Sequence, residues 1–158
     1  MRLDRTDGFV ISDDKTLLDV DRVHTWLSTD AYWATGRGRR TVEESIAGSD
    51  AYGVYGPDGA QVAFCRVVTD RATFGYLCDV YVDRAHRGTG IGKWMVAAVR
   101  DVYAPLGMRR LLLATLDAHG LYSGAGFVPL RDPGLWMELP RSESGVAESE
   151  PEAGRPAA

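Results

Sequence analysis

The feature that most narrows the fold is a long β-prone run, Phe74 to Val82, followed almost at once by Arg87-Gly88-Thr89-Gly90-Ile91-Gly92-Lys93. The last part of that segment opens an apolar stripe at helical spacing, Ile91, Met95, Ala98 and Val102, with Pro105 and Gly107 just beyond it. A strand that runs through a glycine loop straight into a helix predicts a mixed α/β chain. It also presents unpaired backbone N–H groups and the positive end of a helix dipole at one point, an arrangement suited to phosphate. Arg87 and Lys93 bracket the glycines and favour an anion site over a bare turn. Two familiar phosphate loops do not fit. A Walker loop needs glycine at Arg87 and serine or threonine at Trp94, and a dinucleotide fingerprint starting at Gly88 needs glycine at Lys93.

Composition sets the remaining bounds. The chain has 158 residues, 45% of them hydrophobic, which is enough for one domain with a real core. A formal net charge of -4 gives no general attraction to a phosphate backbone, so no nucleic-acid partner is expected and any anion site must be local. Cys65 and Cys78 fall in strand-like stretches and read as core thiols; two cysteines do not make a disulfide framework. The histidines lack metal-motif spacing, so no metal is expected. The N-terminus lacks the basic start and apolar run of a signal peptide, and no segment approaches the roughly 20 apolar residues of a membrane span. The expected location is therefore the cytoplasm, with no membrane partner.

Along the chain, Gly8 to Ile11 reads as a short first strand, and Val20, Val23 and Leu27 mark one face of a helix capped by Asp19. A loop with Tyr32, Trp33 and the basic residues Arg37, Arg39 and Arg40 leads to Thr41-Val42-Glu43-Glu44, whose capping-box spacing predicts a second helix, closed by Gly48. Ala51 to Tyr55 and Gln61 to Val68 flank Gly56-Pro57-Asp58-Gly59 and predict a hairpin. After the central strand and helix come a strand at Arg110 to Thr115, a short helix at Ala118 to Ser123, and closing strands at Phe127 to Leu130 and Trp136 to Leu139. The sum is an α/β fold of mixed character around a mostly antiparallel twisted sheet of six to seven strands flanked by about four helices. One domain over 1–140 is expected, followed by a disordered tail over 141–158, where Ser, Glu, Gly, Pro and Ala dominate.

Two blocks carry a family resemblance. Asp79-Val80-Tyr81-Val82 followed by Arg87-Gly88-Thr89-Gly90-Ile91-Gly92 resembles the acetyl-CoA motif of the Gcn5-related N-acetyltransferases (GNAT), which runs Arg or Gln, two residues, Gly, one residue, then Gly or Ala; Arg87, Gly90 and Gly92 satisfy it. Leu121-Tyr122-Ser123-Gly124-Ala125-Gly126-Phe127 is similar to the family's later Tyr-x-x-x-Gly-Phe signature. The order of elements from Gly8 to Leu139 is similar as well.

The resemblance implies an acetyl-CoA-dependent N-acetyltransferase that moves the acetyl group to a primary amine by direct attack in a ternary complex. Gly88, Thr89, Gly90, Ile91 and Gly92, with Arg87 and Lys93, would hold the CoA pyrophosphate, and Val80, Tyr81 and Val82 would pair with the pantetheine arm. Tyr122 would protonate the thiolate, since a phenol with a pKa of about 10 stays protonated near neutrality. Asp79 is the first candidate for the base, with Asp117 and His119 behind it. Asp117 is equally placed to cap the next helix, and His119 to serve as a structural hydrogen-bonding group. Tyr32 and Trp33 would wall the acceptor cleft, and the neighbouring arginines disfavour a polycationic acceptor. A small-molecule or amino-acid amine leads as acceptor, ahead of a protein N-terminus or lysine. The rival reading is a non-catalytic acyl-CoA-binding domain. A homodimer is compatible with the edge strands such a fold leaves.

Overall fold

The hairpin at the centre of the chain organises the sheet. Strands β3 (Asp50–Tyr55) and β4 (Gln61–Thr69) pair antiparallel across the Gly56-Pro57-Asp58-Gly59 turn, where Gly59 takes φ +81°. A side chain rarely adopts that conformation and glycine does so freely. In this computed structural model, which describes residues 1–139, β1 (Arg2–Asp4) and β2 (Val10–Ser12) extend the sheet on one side. On the other side stand β5 (Phe74–Val82) and β6 (Arg110–Leu112), and the six strands run in sequence order. All neighbours are antiparallel except β5 and β6, which are parallel. Four α-helices are present among the described residues: α1 (Val20–Thr29), α2 (Arg39–Ala47), α3 (Ile91–Tyr103) and α4 (His119–Ser123).

The helices cover both faces. Ile91, Met95, Val96 and Val99 of α3 pack on Val54, Cys65, Val67 and Leu77, whereas Val23, Trp26 and Leu27 of α1 and Val42 and Ile46 of α2 pack with Ala51, Phe64 and Tyr81. Helical spacing on one side and strand alternation on the other therefore build two cores with the sheet between them. Asp19 caps α1 as expected, accepting from the Arg22 amide at 2.9 Å, and Gly48 closes α2.

Several boundaries differ from the sequence reading. A whole strand, β1, lies before the first one expected, because Arg2-Leu3-Asp4 is an exposed edge with no apolar alternation to announce it. The second helix begins at Arg39, two residues before Thr41, with Gly38 as an N-cap that makes no side-chain hydrogen bond. The i,i+4 pairs Arg39–Glu43 and Arg40–Glu44 support that earlier start. Strand β6 stops at Leu112 rather than Thr115. The last expected strands do not form. The compact unit runs from Met1 to Val128, and the following segment holds a 3-10 turn at Pro133–Leu135 and no strand among its described residues. Pro129 and Pro133 each lack a ladder donor, and Asp132-Pro133-Gly134 turns the chain instead. The tail expected over 141–158 lies outside the described residues.

Candidate active site

Strand β5 is where the site begins. Its pairing with β6 ends at Tyr76 and Leu112, so among the described residues it has a strand neighbour from Leu77 to Val82 on its β4 side alone. Midway, Arg66 faces Cys78 while Phe64 faces Tyr81, which leaves one extra residue on β5. That residue makes a β-bulge in which Asp79 adopts φ +51°, a left-handed conformation that Asp tolerates better than most side chains. The bulge turns Tyr81 into the α1/α2 core and leaves Val80 and Val82 packed towards α3.

Immediately beyond, Gly88 and Gly90 take φ +79° and +83°, and a Cβ at either would meet nothing within 4 Å. The first helical hydrogen bond of α3 runs from the Trp94 amide to the Gly90 carbonyl at 3.0 Å. The six N–H groups from Gly88 to Lys93 consequently make no hydrogen bond among the described residues. Gly92 lies closest to Val82 and Leu121, where an added Cβ would stand 3.5 Å and 3.9 Å from their side chains. The Thr89 hydroxyl is used internally, donating to the His86 carbonyl at 2.6 Å, and Lys93 is exposed.

Arg87 is not free. Its Nε donates to the Val82 carbonyl at 3.0 Å, its Nη2 to Asp30 at 2.8 Å, and its guanidinium lies 5.2 Å from the Tyr81 ring centroid. Asp30, at the end of α1, also accepts from the Tyr81 hydroxyl at 2.6 Å and from Arg84. Arg84 first, then Tyr81 and Arg87, hold the Asp30 carboxyl well below the usual carboxylate range. Trp26 stacks on Tyr81 at 5.1 Å and donates to Asp83 at 3.2 Å. The end of α1 thus braces the loop between β5 and α3 at three successive points.

On the α1/α2 side, Asp79 is buried and fully engaged. Its Oδ2 accepts from Arg37 Nη1 at 2.6 Å and Arg66 Nε at 2.7 Å, and its Oδ1 accepts from Trp33 Nε1 at 3.2 Å. Burial pushes the Asp79 carboxyl up, but the Arg37 hydrogen bond and the Arg66 charge outweigh it, and the net shift is downward. Asp79, the first candidate for the base in the sequence, is thus held in its charged form by two guanidiniums. The Trp33 ring meets Tyr32 edge-on at 5.0 Å, and the Tyr32 hydroxyl accepts from the Leu116 amide at 3.4 Å, joining the α1–α2 loop to the loop before α4.

Tyr122 of α4 is 9% exposed. It packs edge-on to Phe127 at 6.0 Å, and its hydroxyl makes no hydrogen bond among the described residues. Burial pushes its phenol up to about 12, with Cys65, Tyr32, Asp117 and Tyr76 acting in the same direction. Asp117 and His119 are both exposed. Asp117 is not a helix cap: α4 starts after Ala118, whose amide is taken by the Thr115 hydroxyl at 3.0 Å. The structure therefore gathers Val80, Tyr81, Val82, Arg87 and the glycine loop at one end of β5, and Tyr32, Trp33 and Asp79 on its α1/α2 face. Sequence reasoning singled out neither Asp30 nor Arg66. Arg66 had a signal, as the one charged residue in β4, while nothing local marks Asp30.

Known proteins resemble this chain over most of its length. The model of the acetyltransferase (GNAT) family matches residues 20–127. A Gibberella zeae protein named as an acetyltransferase, FG08082, is 31% identical over 133 residues, covering 72% of this chain and 75% of that protein. A crystal structure of a GNAT-family protein from Xanthomonas campestris pv. campestris superposes with a TM-score of 0.80 at 43% identity, covering 84% of this chain and 93% of the other. Rv2747 from Mycobacterium tuberculosis, solved in complex with CoA, shares the fold at a TM-score of 0.64 and 22% identity, over 77% and 72% of the two chains.

Proposed function

Since the chain belongs to the GNAT acetyltransferase family and is an acyltransferase of the acetyl-CoA-using kind, we propose that it transfers the acetyl group to the primary amine of a small molecule or amino acid, by direct attack within a ternary complex. The observation that carries the reading is the run of six N–H groups, Gly88 to Lys93, that have no partner among the described residues, at the end of a strand whose other edge is open among those residues. Backbone donors fixed at a helix start suit a pyrophosphate, and the absence of any atom within 4 Å of a Cβ at Gly88 or Gly90 lets the ligand come close. Lys93, exposed on the first turn of α3, adds charge there. Arg87 acts as a strut that ties the loop to Val82 and Asp30, and its part in phosphate binding is to hold the amides in place.

When bound, acetyl-CoA supplies a thioester whose acyl carbon the amine attacks. The open edge of β5 from Val80 to Val82 offers backbone groups that pair with an extended amide-bearing arm as a further strand would. A backbone N–H near Val80 or Tyr81 meets the thioester oxygen, and an interaction that strengthens as that oxygen gains charge lowers the barrier. Tyr122, kept protonated by burial, donates its proton to the leaving sulfur. Asp79 is assigned a positioning role for Arg37, Arg66 and Trp33 rather than proton removal, because two guanidiniums stabilise its charged form and make it a weak base. The amine proton leaves through water, with Asp117 and His119, both exposed beside the start of α4, as the groups that take it up.

The test is a titration of the full chain with acetyl-CoA, with ATP and NADH as controls, followed by release of free CoA with a panel of amines. Saturable binding of acetyl-CoA alone, weakened in Arg87→Ala, is expected. A folded protein that fails to bind it, or binds it and turns over no amine in a broad panel, contradicts the proposal.

A further inference from the structure

The two arginines on Asp79 are paired in an unusual way. A guanidinium commonly meets a carboxylate through two parallel hydrogen bonds. Here each arginine gives a single N–H to the same oxygen, Asp79 Oδ2, and Trp33 takes the other. The carboxylate is satisfied and the guanidiniums are not: most of their N–H donors have no acceptor among the described residues. Among the described residues, two cations against one anion also leave one positive charge without a paired anion. The Arg37 and Arg66 side chains are 20% and 14% exposed, so this charge is largely withdrawn from bulk water yet reachable from it.

What surrounds the pair is apolar. Arg66 and Val68 share a face of β4 with Phe74, Tyr76 and Cys78 of β5, since Arg66 stands opposite Cys78 and Val68 opposite Tyr76. Val68, Phe74 and Tyr76 are exposed on that face, and Trp33 and Tyr32, at 43% and 53% exposure, stand on the loop above Asp79. We propose that Arg37 and Arg66 bind a carboxylate on the acceptor amine, whose apolar body lies against Trp33 and Tyr76. The acceptor class is then an amine that carries both a carboxylate and an apolar or aromatic group, as in an apolar amino acid. A single spare positive charge matches a monoanion and leaves a phosphate dianion partly uncompensated. Asp79 sets this specificity by holding both guanidiniums at one point. The inference rests on the acetyl-transfer reading for its account of what the acceptor undergoes, but the anion site itself is testable without turnover.

The experiment is an isothermal titration of the full chain, with CoA present, using N-acetyl-L-phenylalanine, its carboxamide, and 2-aminoethyl phosphate. It is run on the parent and on Arg37→Gln, which leaves Asp79 its Arg66 partner. A carboxylate that binds at least about tenfold more tightly than the carboxamide is expected, with that preference erased in Arg37→Gln and carboxamide binding unchanged. Should Arg37→Gln not fold, Arg37→Lys keeps the charge without the fork, and a smaller loss of the same preference is expected. Equal binding of acid and amide, an equal loss of both in the variant, or a preference for the phosphate overturns the proposal. An acetyl-CoA titration of the same samples separates the two readings, since failure there strikes the transfer reading and leaves the carboxylate preference to stand or fall by itself.

Discussion

Replacing Tyr122 with phenylalanine separates catalysis from stability. The hydroxyl makes no hydrogen bond among the described residues, so its removal leaves no buried partner stranded, and the ring keeps its edge-on contact with Phe127. Folding should be unchanged or slightly improved. The rate should not survive: a positioned general acid contributes about 10²–10⁴-fold, which corresponds to about 2.7–5.5 kcal/mol of barrier. The assay is thiol release with the best acceptor from the amine panel, alongside thermal unfolding of both proteins. The expected result is a fall of about a hundredfold or more in kcat, an unchanged KM for acetyl-CoA and an unchanged Tm. The pH profile gives a second readout. Burial raises the phenol to about 12, so the proton is retained, and the acid function persists, until the solution approaches that pH. The parent rate should therefore show no alkaline decline from this group near pH 10, where a free phenol ionises. A folded Tyr122→Phe enzyme with parental kcat and an unchanged pH profile refutes the assignment.

Gly90→Ala forces a side chain into φ +83°, a strain of about 1–2 kcal/mol. It should lower the Tm by a few degrees, seen by calorimetry, and weaken acetyl-CoA binding in titration. Asp79→Asn tests the pairing of Asp79 with Arg37 and Arg66 through acid stability. The folded carboxyl lies below its ordinary value, so its contribution is present above the unfolded pKa of about 4 and is lost as pH falls through the folded one. The variant should be less stable at pH 7, and its Tm should fall less than that of the parent on acidification below pH of about 4; parallel Tm curves contradict the pairing. Asp30→Asn weakens the hold on Arg84 and Arg87 and should raise the KM for acetyl-CoA several-fold while leaving acceptor KM unchanged in steady-state kinetics.

The parts of the site legible in the sequence are those whose cause is local. Gly88 and Gly90 are needed because their own φ values are positive, Asp19 caps the helix three residues ahead, and the hairpin turns on four consecutive residues. Interactions over so few bonds leave their mark as spacing, and spacing is readable. Some local signals misled because other local ones outweighed them: the capping box at Thr41 gave way to a helix begun at Arg39, where i,i+4 pairs form, and the prolines and turn from Pro129 to Gly134 outweighed the strand reading of Phe127 to Leu130 and Trp136 to Leu139.

What the chain order alone determined is the glycine loop between a strand and a helix, the hairpin at Gly56 to Gly59 and the mostly antiparallel mixed character of the sheet. Only the folded molecule decided that Asp79 is an arginine-bound anchor. Its partners Arg66 and Arg37 lie 13 and 42 residues away, and they meet it because a bulge swings Asp79 onto the α1/α2 face. Asp30 reaches Tyr81 and Arg87 across 51 and 57 residues for a similar reason: helix α1 ends where β5 leaves the sheet. Ion pairs between such distant positions depend on strand register and helix packing, which no short stretch of sequence encodes, and they hold the Asp79 and Asp30 carboxyls in their charged form.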